Sequence, residues 1–278
     1  MAILNGLGIS IVAYHSDAAE LRATLESLRV ALSHACGAGL LDHATVWLID
    51  NGSEDAAELD RLATEALAPD EEWLRLEVIR GHGNVGYGAG HDLALSRTGV
   101  AWHLILNPDV RLHADAISEG LRHLRDHPRV ALVTPHAVDQ EGRRQFLCKR
   151  YPSLLALGLR GFASEGLRRR LRGVLDRYEM RDLPEHEVAT GIPIASGCFM
   201  LARAEVLRSL GGFSSRYFLY FEDFDLSLRL GRIADIAYVP GVRIVHSGGD
   251  AARKGRLHQR LFLRSALTFF GSHGWKLW

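Results

Sequence analysis

Residues Trp102 to Val110 read WHLILNPDV. Leu104, Ile105 and Leu106, with Val110 beyond the break, have the apolar character of a strand buried on both faces. Pro108 stops that strand, because proline has no N–H to give a sheet ladder. Two polar side chains, Asn107 and Asp109, stand at the stop. An open α/β sheet presents its ligand chemistry at the carboxyl ends of such strands. Asn-Pro-Asp is also a common turn after a strand, so the rest of the chain has to decide between the two readings.

The flanking sequence has the alternation that a parallel sheet requires. Gly8–Tyr14 (GISIVAY) is a short β-branched strand. Asp17 caps a helix whose Leu21, Leu25, Leu28 and Leu32 recur at helical spacing. Thr45–Ile49 predicts a second strand, ending in Asp50-Asn51-Gly52-Ser53. A helix follows over Glu54–Leu67, then a third strand over Trp73–Ile79. Gly81–Gly90 (GHGNVGYGAG) is a glycine-rich turn into a helix that runs through Leu95. These units predict a right-handed, mostly parallel, Rossmann-like sheet with helices on both faces.

Beyond Asp109 the rhythm loosens. A helix is expected over Asp115–His127, a strand over Val130–Pro135 and another over Ala195–Ala202 (ASGCFMLA). A short helix ends at Gly211-Gly212. A further helix opens at Phe221 and runs to Leu230, Ile236–Val245 is strand-like, and Gln259–Phe270 is amphipathic. There is no internal repeat.

Composition narrows the class. The 278 residues are 47% hydrophobic, enough for a sizeable core in one large domain or one and a half. The 33 basic and 33 acidic residues balance, which argues against nucleic acid as a partner. Cys36, Cys148 and Cys198 lie far apart without a C-x-x-C pair, which fits a reducing cytoplasm and no zinc site. No targeting sequence is recognisable, and no apolar run reaches the roughly 18–20 residues of a membrane span. Any membrane contact is therefore expected to be peripheral.

Several stretches carry candidate chemistry, each with a plainer alternative. Asp50 ends a strand on the edge expected to hold Asp109 and can accept from a pyrimidine N3–H or a ribose hydroxyl; Asp-Asn-Gly-Ser is also good turn chemistry. Gly81, Gly83 and Gly86 satisfy G-x-G-x-x-G, but after the third strand rather than the first, so a dinucleotide site is not expected. Gly86 and its neighbours instead let backbone approach a ligand, with Asn84 offering an amide. Phe218–Leu230 (FLYFEDFDLSLRL) brings Glu222, Asp223 and Asp225 to a helix start. Acids there complement the helix dipole, but three exceed what capping needs. His246 closes a strand before Ser247-Gly248-Gly249, and Arg253 and Lys254 beyond it suggest a phosphate neighbourhood. Arg160–Arg181 holds seven arginines against three acids, interleaved with leucines. It reads as a solvated face or as an amphipathic surface for anionic lipid or a lipid diphosphate.

Seven ordered blocks resemble the family 2 inverting glycosyltransferases over nearly the whole chain. They are SIVAYHS, VWLIDNGS, GNVGYGAG, LILNPDV, ASGCFMLARAEV, GGFSSRYFLYFEDFDLSLRL and VRIVHSGG. Within that family the chain is most similar to bacterial rhamnosyltransferases that use dTDP-L-rhamnose. The resemblance implies a GT-A fold: a nucleotide-sugar half over 1–112, an acceptor and catalytic half over 113–250, and an amphipathic helix over 251–278. It implies that Asp223 is the catalytic base, that Asp50 contacts the nucleotide base, and that Asp109 with His246 holds Mg²⁺ or Mn²⁺ on the diphosphate. Tyr14, Asn84, Gly86, Asn107, Glu222, Arg253 and Lys254 are the further substrate contacts expected. The family's metal motif is often Asp-x-Asp, and Asn107 stands at its first position. A neutral amide is the poorer ligand.

The implied acceptor is a hydroxyl of a cell-surface glycan: a polyprenyl-diphosphate-linked precursor, lipopolysaccharide core or O-antigen. That places the protein in the cytoplasm or on the inner face of the cytoplasmic membrane. Other donors remain open, among them UDP-galactofuranose, UDP-GlcNAc and dTDP-deoxysugars. A catalytically silent nucleotide-sugar-binding protein and a dehydrogenase built on Gly81–Gly86 are the rival classes.

Overall fold

Parallel pairing of buried strands builds the first half of the protein, in a computed structural model that describes residues 4–68, 71–248 and 255–278. Strand β1 (Leu4–Ala13) leads through α1 (Ala18–Gly37) to β2 (His43–Asp50). Helix α2 (Ala56–Leu67), β3 (Leu74–Ile79), α3 (Tyr87–Leu95) and β4 (Val100–Leu106) follow. Asp17 starts α1 by accepting from the N–H groups of Ala19 and Glu20, at 2.9 and 3.0 Å. Leu21, Leu25, Leu28 and Leu32 form its buried stripe. Truncating Leu28 to alanine would cost about 2–5 kcal/mol.

The second half reads β5 (Val110–Leu112), α4 (Ala116–Asp126), β6 (Val130–Val138), β7 (Arg144–Gln145) and β8 (Cys148–Lys149). Three short helices come next, α5 (Leu154–Phe162), α6 (Glu165–Arg170) and α7 (Arg172–Tyr178). Then come β9 (Ala189–Thr190), β10 (Ile194–Ala195), β11 (Phe199–Arg203), α8 (Ala204–Ser209), α9 (Glu222–Leu230), β12 (Asp235–His246) and α10 (Gly255–His273).

One sheet runs through both halves in the order β3-β2-β1-β4-β11-β6-β12-β5. Its long ladders, β3 with β2, β2 with β1, β1 with β4 and β6 with β12, are parallel, while β11 runs against β4 and β6. Helices α1, α2 and α4 cover one face, and α3, α8 and α9 contribute to the core on the other. A third cluster joins Tyr217 and Phe221 to Ala266, Phe269 and Phe270 of α10.

Two expected strands are divided. Val110 is fully buried but belongs to β5, which pairs with β12 at the far end of the sheet rather than prolonging β4. The free edge of β4 is taken by β11, so the chain has to leave at Pro108. Thr24 of α1 pins that departure by donating to the Pro108 carbonyl at 2.9 Å. The expected strand over 195–202 is likewise broken, because Ser196-Gly197-Cys198 turns between β10 and β11. That turn proves to be part of the site.

Candidate active site

Asp109, at the end of the Asn-Pro-Asp turn, faces His246 at the end of β12. His246 Nε2 lies 3.7 Å from Asp109 Oδ1, and Ser247 N–H donates to the Asp109 carbonyl at 3.0 Å. Gly248 packs against both side chains so closely that a Cβ there would collide with the Asp109 carboxylate. Gln145 fixes the imidazole. Its amide donates to the His246 carbonyl at 2.9 Å, so its Oε1 is the atom 2.8 Å from Nδ1. Nδ1 must then carry the ring proton, which leaves a lone pair on Nε2 towards Asp109. Burial holds the His246 pKa below its ordinary value despite Asp109. Asp109 Oδ1 and Asn107 Oδ1 are both buried without a hydrogen-bond partner.

The Ser196–Cys198 turn links this pair to Asp223. Asn107 N–H donates to the Cys198 carbonyl at 2.9 Å, and Gly197 N–H donates to Asp223 Oδ2 at 2.9 Å. Phe224 N–H holds Oδ1 at 2.9 Å, while the Tyr87 hydroxyl donates to the Gly197 carbonyl at 2.6 Å. Two backbone amides thus fix a partly exposed carboxylate. Burial still raises its pKa above the usual aspartate value, outweighing those amides. Glu222 beside it is buried and has an unpartnered Oε2, and burial with the Asp223 charge raises its pKa well above the ordinary glutamate value. Tyr220 and Phe221, with φ of 70° and 65°, take left-handed backbone just before these acids. Bulky side chains avoid that region, so the aromatic cluster around Phe221 must hold them there.

Asp50 closes β2, level with Ala13 of β1. Its Oδ1 accepts from Gly52 and Ser53 N–H at 3.1 and 2.7 Å, so the turn anticipated from sequence is present. Oδ2 faces Arg80 at 3.9 Å. Burial raises the Asp50 pKa, but the amides and Arg80 outweigh it and bring it below the usual value. A cavity of about 210 Å³ opens beside this edge, lined by Ala13, His15, Ser53 and Asp55 among others. Tyr14 stands half-exposed there with its ring against His15.

Asn84 does not present a free amide oxygen: its Oδ1 accepts from Gly86 N–H at 3.0 Å and forms the turn into α3. Gly86, at φ 90°, lies against the Phe218 carbonyl where a side chain would clash. The N–H of Tyr87 donates to that carbonyl at 3.0 Å, docking the glycine loop on the segment before Asp223. Gly81–Gly86 follow β3, the edge strand, which removes the geometric basis for a dinucleotide site. Arg253 and Lys254 lie outside the described residues.

A family model described as glycosyl transferase family 2 matches residues 9–211, from the middle of β1 through β11 and α8. The chain belongs to glycosyl transferase family 2. Among similar curated proteins are the N-acetylglucosaminyl-diphospho-decaprenol L-rhamnosyltransferases of two Mycobacterium tuberculosis strains. Each is 26% identical over 233 residues, which is 78% of this chain and 72% of the relative. Among solved structures, S. aureus TarS 1–349 with UDP superposes with a TM-score of 0.54 at 12% identity. GalNAc-T7 with UDP, GalNAc and Mn2+ gives 0.60 at 13%. This chain is covered to 94% and 90%, and spans 65% and 44% of those two structures. The shared fold is that of GT-A glycosyltransferases.

In this glycosyltransferase, the residues that position the predicted ones were not visible in the sequence. Gln145, in the two-residue strand β7, stands in a polar stretch of sequence with no pattern around it. Tyr87 lies in GNVGYGAG and Asn51 in VWLIDNGS, yet only the fold shows Asn51 donating to the Gly86 carbonyl at 3.0 Å and Tyr87 to Gly197. The donors near Asp109 suit a hard divalent ion. Two oxygens and an imidazole nitrogen stand ready, and phosphates with water ordinarily complete such shells. No cluster of three His, Cys, Asp or Glu side chains occurs among the described residues, so a cage made wholly by the protein is not offered.

Proposed function

We propose that this glycosyltransferase moves L-rhamnose from dTDP-L-rhamnose to a hydroxyl of a lipid-linked glycan precursor, with inversion. The observation that carries the reading is the position of Asp223. It is a single carboxylate held by two amides and joined through the Gly197 turn to the Asn107–Asp109 corner. The donor and acceptor classes rest on the mycobacterial relatives, whose name specifies an L-rhamnosyltransferase acting on a decaprenol-linked N-acetylglucosamine. Asp50 accepts the N3–H of the base through Oδ2, and Tyr14 lies beside the nucleoside. Arg253 and Lys254 supply positive charge to the diphosphate.

Asp223 takes the proton from the acceptor hydroxyl as that oxygen bonds to the anomeric carbon. The carbon–oxygen bond to the diphosphate breaks on the opposite face, and dTDP leaves with the electron pair. A single displacement turns the β-linked donor into an α-linked rhamnoside. The raised pKa makes Asp223 a stronger base than an exposed aspartate. Asp109, His246 and the Asn107 oxygen would hold Mg²⁺ or Mn²⁺, which when bound neutralises charge growing on the leaving diphosphate. A substrate hydroxyl can meet the buried, unpartnered Oε2 of Glu222.

The test is product formation from dTDP-L-rhamnose and a polyprenyl-diphosphate N-acetylglucosamine, beside UDP-galactofuranose, UDP-GlcNAc and other dTDP-sugars. Rhamnosyl transfer above all other donors is expected. Transfer from a UDP-sugar alone would replace the donor assignment. Donor binding without turnover on any acceptor would favour a silent nucleotide-sugar-binding protein.

A further inference from the structure

Helix α10 is amphipathic in an unusual way: its outer face is both greasy and basic. The inner side packs Phe269 and Phe270 on Tyr217 and Phe221, around the segment that presents Glu222 and Asp223. On the outside, Leu257, Leu263 and Leu267 expose 67, 61 and 53% of their surface. Exposed Arg256, Arg260 and Arg264 lie among them, and residues 255–278 include no Asp or Glu. Isolated exposed leucines are ordinary, but a contiguous set marks an interaction surface.

The surface continues beyond the helix. Trp275 stacks on Phe270 with centroids 5.2 Å apart, and the carbonyls of Lys276 and Leu277 accept from Leu154 and Leu155 N–H at 2.9 and 3.1 Å. That pairing lays Trp275, Leu277 and Trp278, all largely exposed, beside the exposed Leu154 and Leu155 of α5. Helices α6 and α7 follow directly, with Arg168, Arg169, Arg170, Arg172 and Arg177 exposed. Among the described residues, no helix is long and apolar enough to cross a membrane.

We infer that α10, residues 275–278 and the α5–α7 arginines form one docking surface for an anionic lipid bilayer. Exposed tryptophan and leucine suit the headgroup–acyl boundary, and arginines beside them suit its negative potential. An acidic protein partner would use the arginines but would gain little from leucines and tryptophans spread over a helix and a neighbouring segment. The surface deepens the reading of a lipid-linked acceptor, since it backs directly onto the layer carrying Asp223. It does not depend on catalysis.

The full chain is sedimented with phosphatidylglycerol–phosphatidylcholine vesicles and with phosphatidylcholine vesicles, without donor or acceptor. Binding to the anionic vesicles alone is expected. Leu263→Glu with Leu267→Glu, and separately Arg169→Ser with Arg170→Ser and Arg264→Ser, should each weaken it roughly tenfold or more. All five positions are exposed, and unchanged melting and dTDP binding would verify that the variants fold. A chain that stays in the supernatant overturns the inference, as does binding that both variants retain. Loss with the arginine variant but not the leucine variant overturns it in favour of an acidic soluble partner. Vesicle binding with no rhamnosyl transfer would sink the proposed reaction and leave the surface standing.

Discussion

Gln145 and His246 hold each other twice: the Gln145 amide donates to the His246 carbonyl, and the imidazole Nδ1–H donates back to Oε1. The pair selects one tautomer and aims the Nε2 lone pair at Asp109. Metal-binding histidines depend on such outer partners, whose loss commonly lowers metal affinity 10–100-fold. Gln145→Leu should therefore weaken Mn²⁺ binding by about that factor, read by calorimetry or by the spin resonance of free Mn²⁺. Gln145→Glu keeps an acceptor for Nδ1–H and should retain most of the affinity. Equal binding by Gln145→Leu and the parent would remove the imidazole from any metal role.

The same geometry sets a pH limit on metal. Nε2 binds only as the free base, and burial keeps His246 neutral below the ordinary histidine range. Mn²⁺ affinity should be flat from pH 8 down to about 6.5, the unperturbed histidine value, and fall only at more acid pH. An affinity already falling above pH 7 would mean that His246 is protonated against Asp109 instead.

Asp223 and Glu222 are adjacent acids with separable roles. Asp223→Asn should lower turnover roughly a hundredfold to ten-thousandfold and leave dTDP affinity unchanged. Its raised pKa puts the acid limb of kcat/KM above the usual aspartate range, with activity lost as pH falls through it. Glu222 is buried beside the base and is not assigned the acceptor proton, so Glu222→Gln should change turnover little by comparison. Should Glu222→Gln be the dead variant and Asp223→Asn the active one, the base has been assigned to the wrong carboxylate.

Asp50 tests whether a turn residue can also be a ligand. Asp50→Ala leaves the Gly52 and Ser53 amides without their acceptor, a loss of about 1–3 kcal/mol in stability. If Oδ2 also reads the base, dTDP affinity falls as well. A destabilised variant that binds dTDP normally would leave only the turn.

The sequence displayed the parallel layers clearly, because buried strands and amphipathic helices repeat in period and composition, as in the leucines of α1. The turn at Asn107–Asp109 and the strand that closes at His246 were also readable. The dividing of 102–110 between two strands was not, since Leu106 and Val110 are equally buried and only β11 decides which edge is free. Nor was the Gly197 turn: ASGCFMLA is apolar enough for a continuous strand, and its break depends on the distant Asp223. Gln145 left no local signal because its function lies wholly in a contact 101 positions away.

One buried cluster should make stability itself pH-dependent. Ser10 Oγ lies 2.7 Å from His91 Nδ1 and 3.0 Å from His103 Nε2 inside the fold. The far nitrogens, His91 Nε2 and His103 Nδ1, are buried without partners, so a charged ring would bury an unpaired N–H, which suits two neutral imidazoles. Burial, with His103 acting on His91 and Arg208 on His103, lowers both pKa values from 6.5 to about 3. Between those values the unfolded chain binds protons that the folded chain refuses, so stability falls as pH drops from about 6.5 towards 3. Urea unfolding across that window should show the decline, and His91→Gln should make it shallower by up to about 1.4 kcal/mol per pH unit. A slope unchanged in His91→Gln would mean that the folded protein already protonates this ring, although the buried Nε2 has no partner for a second N–H.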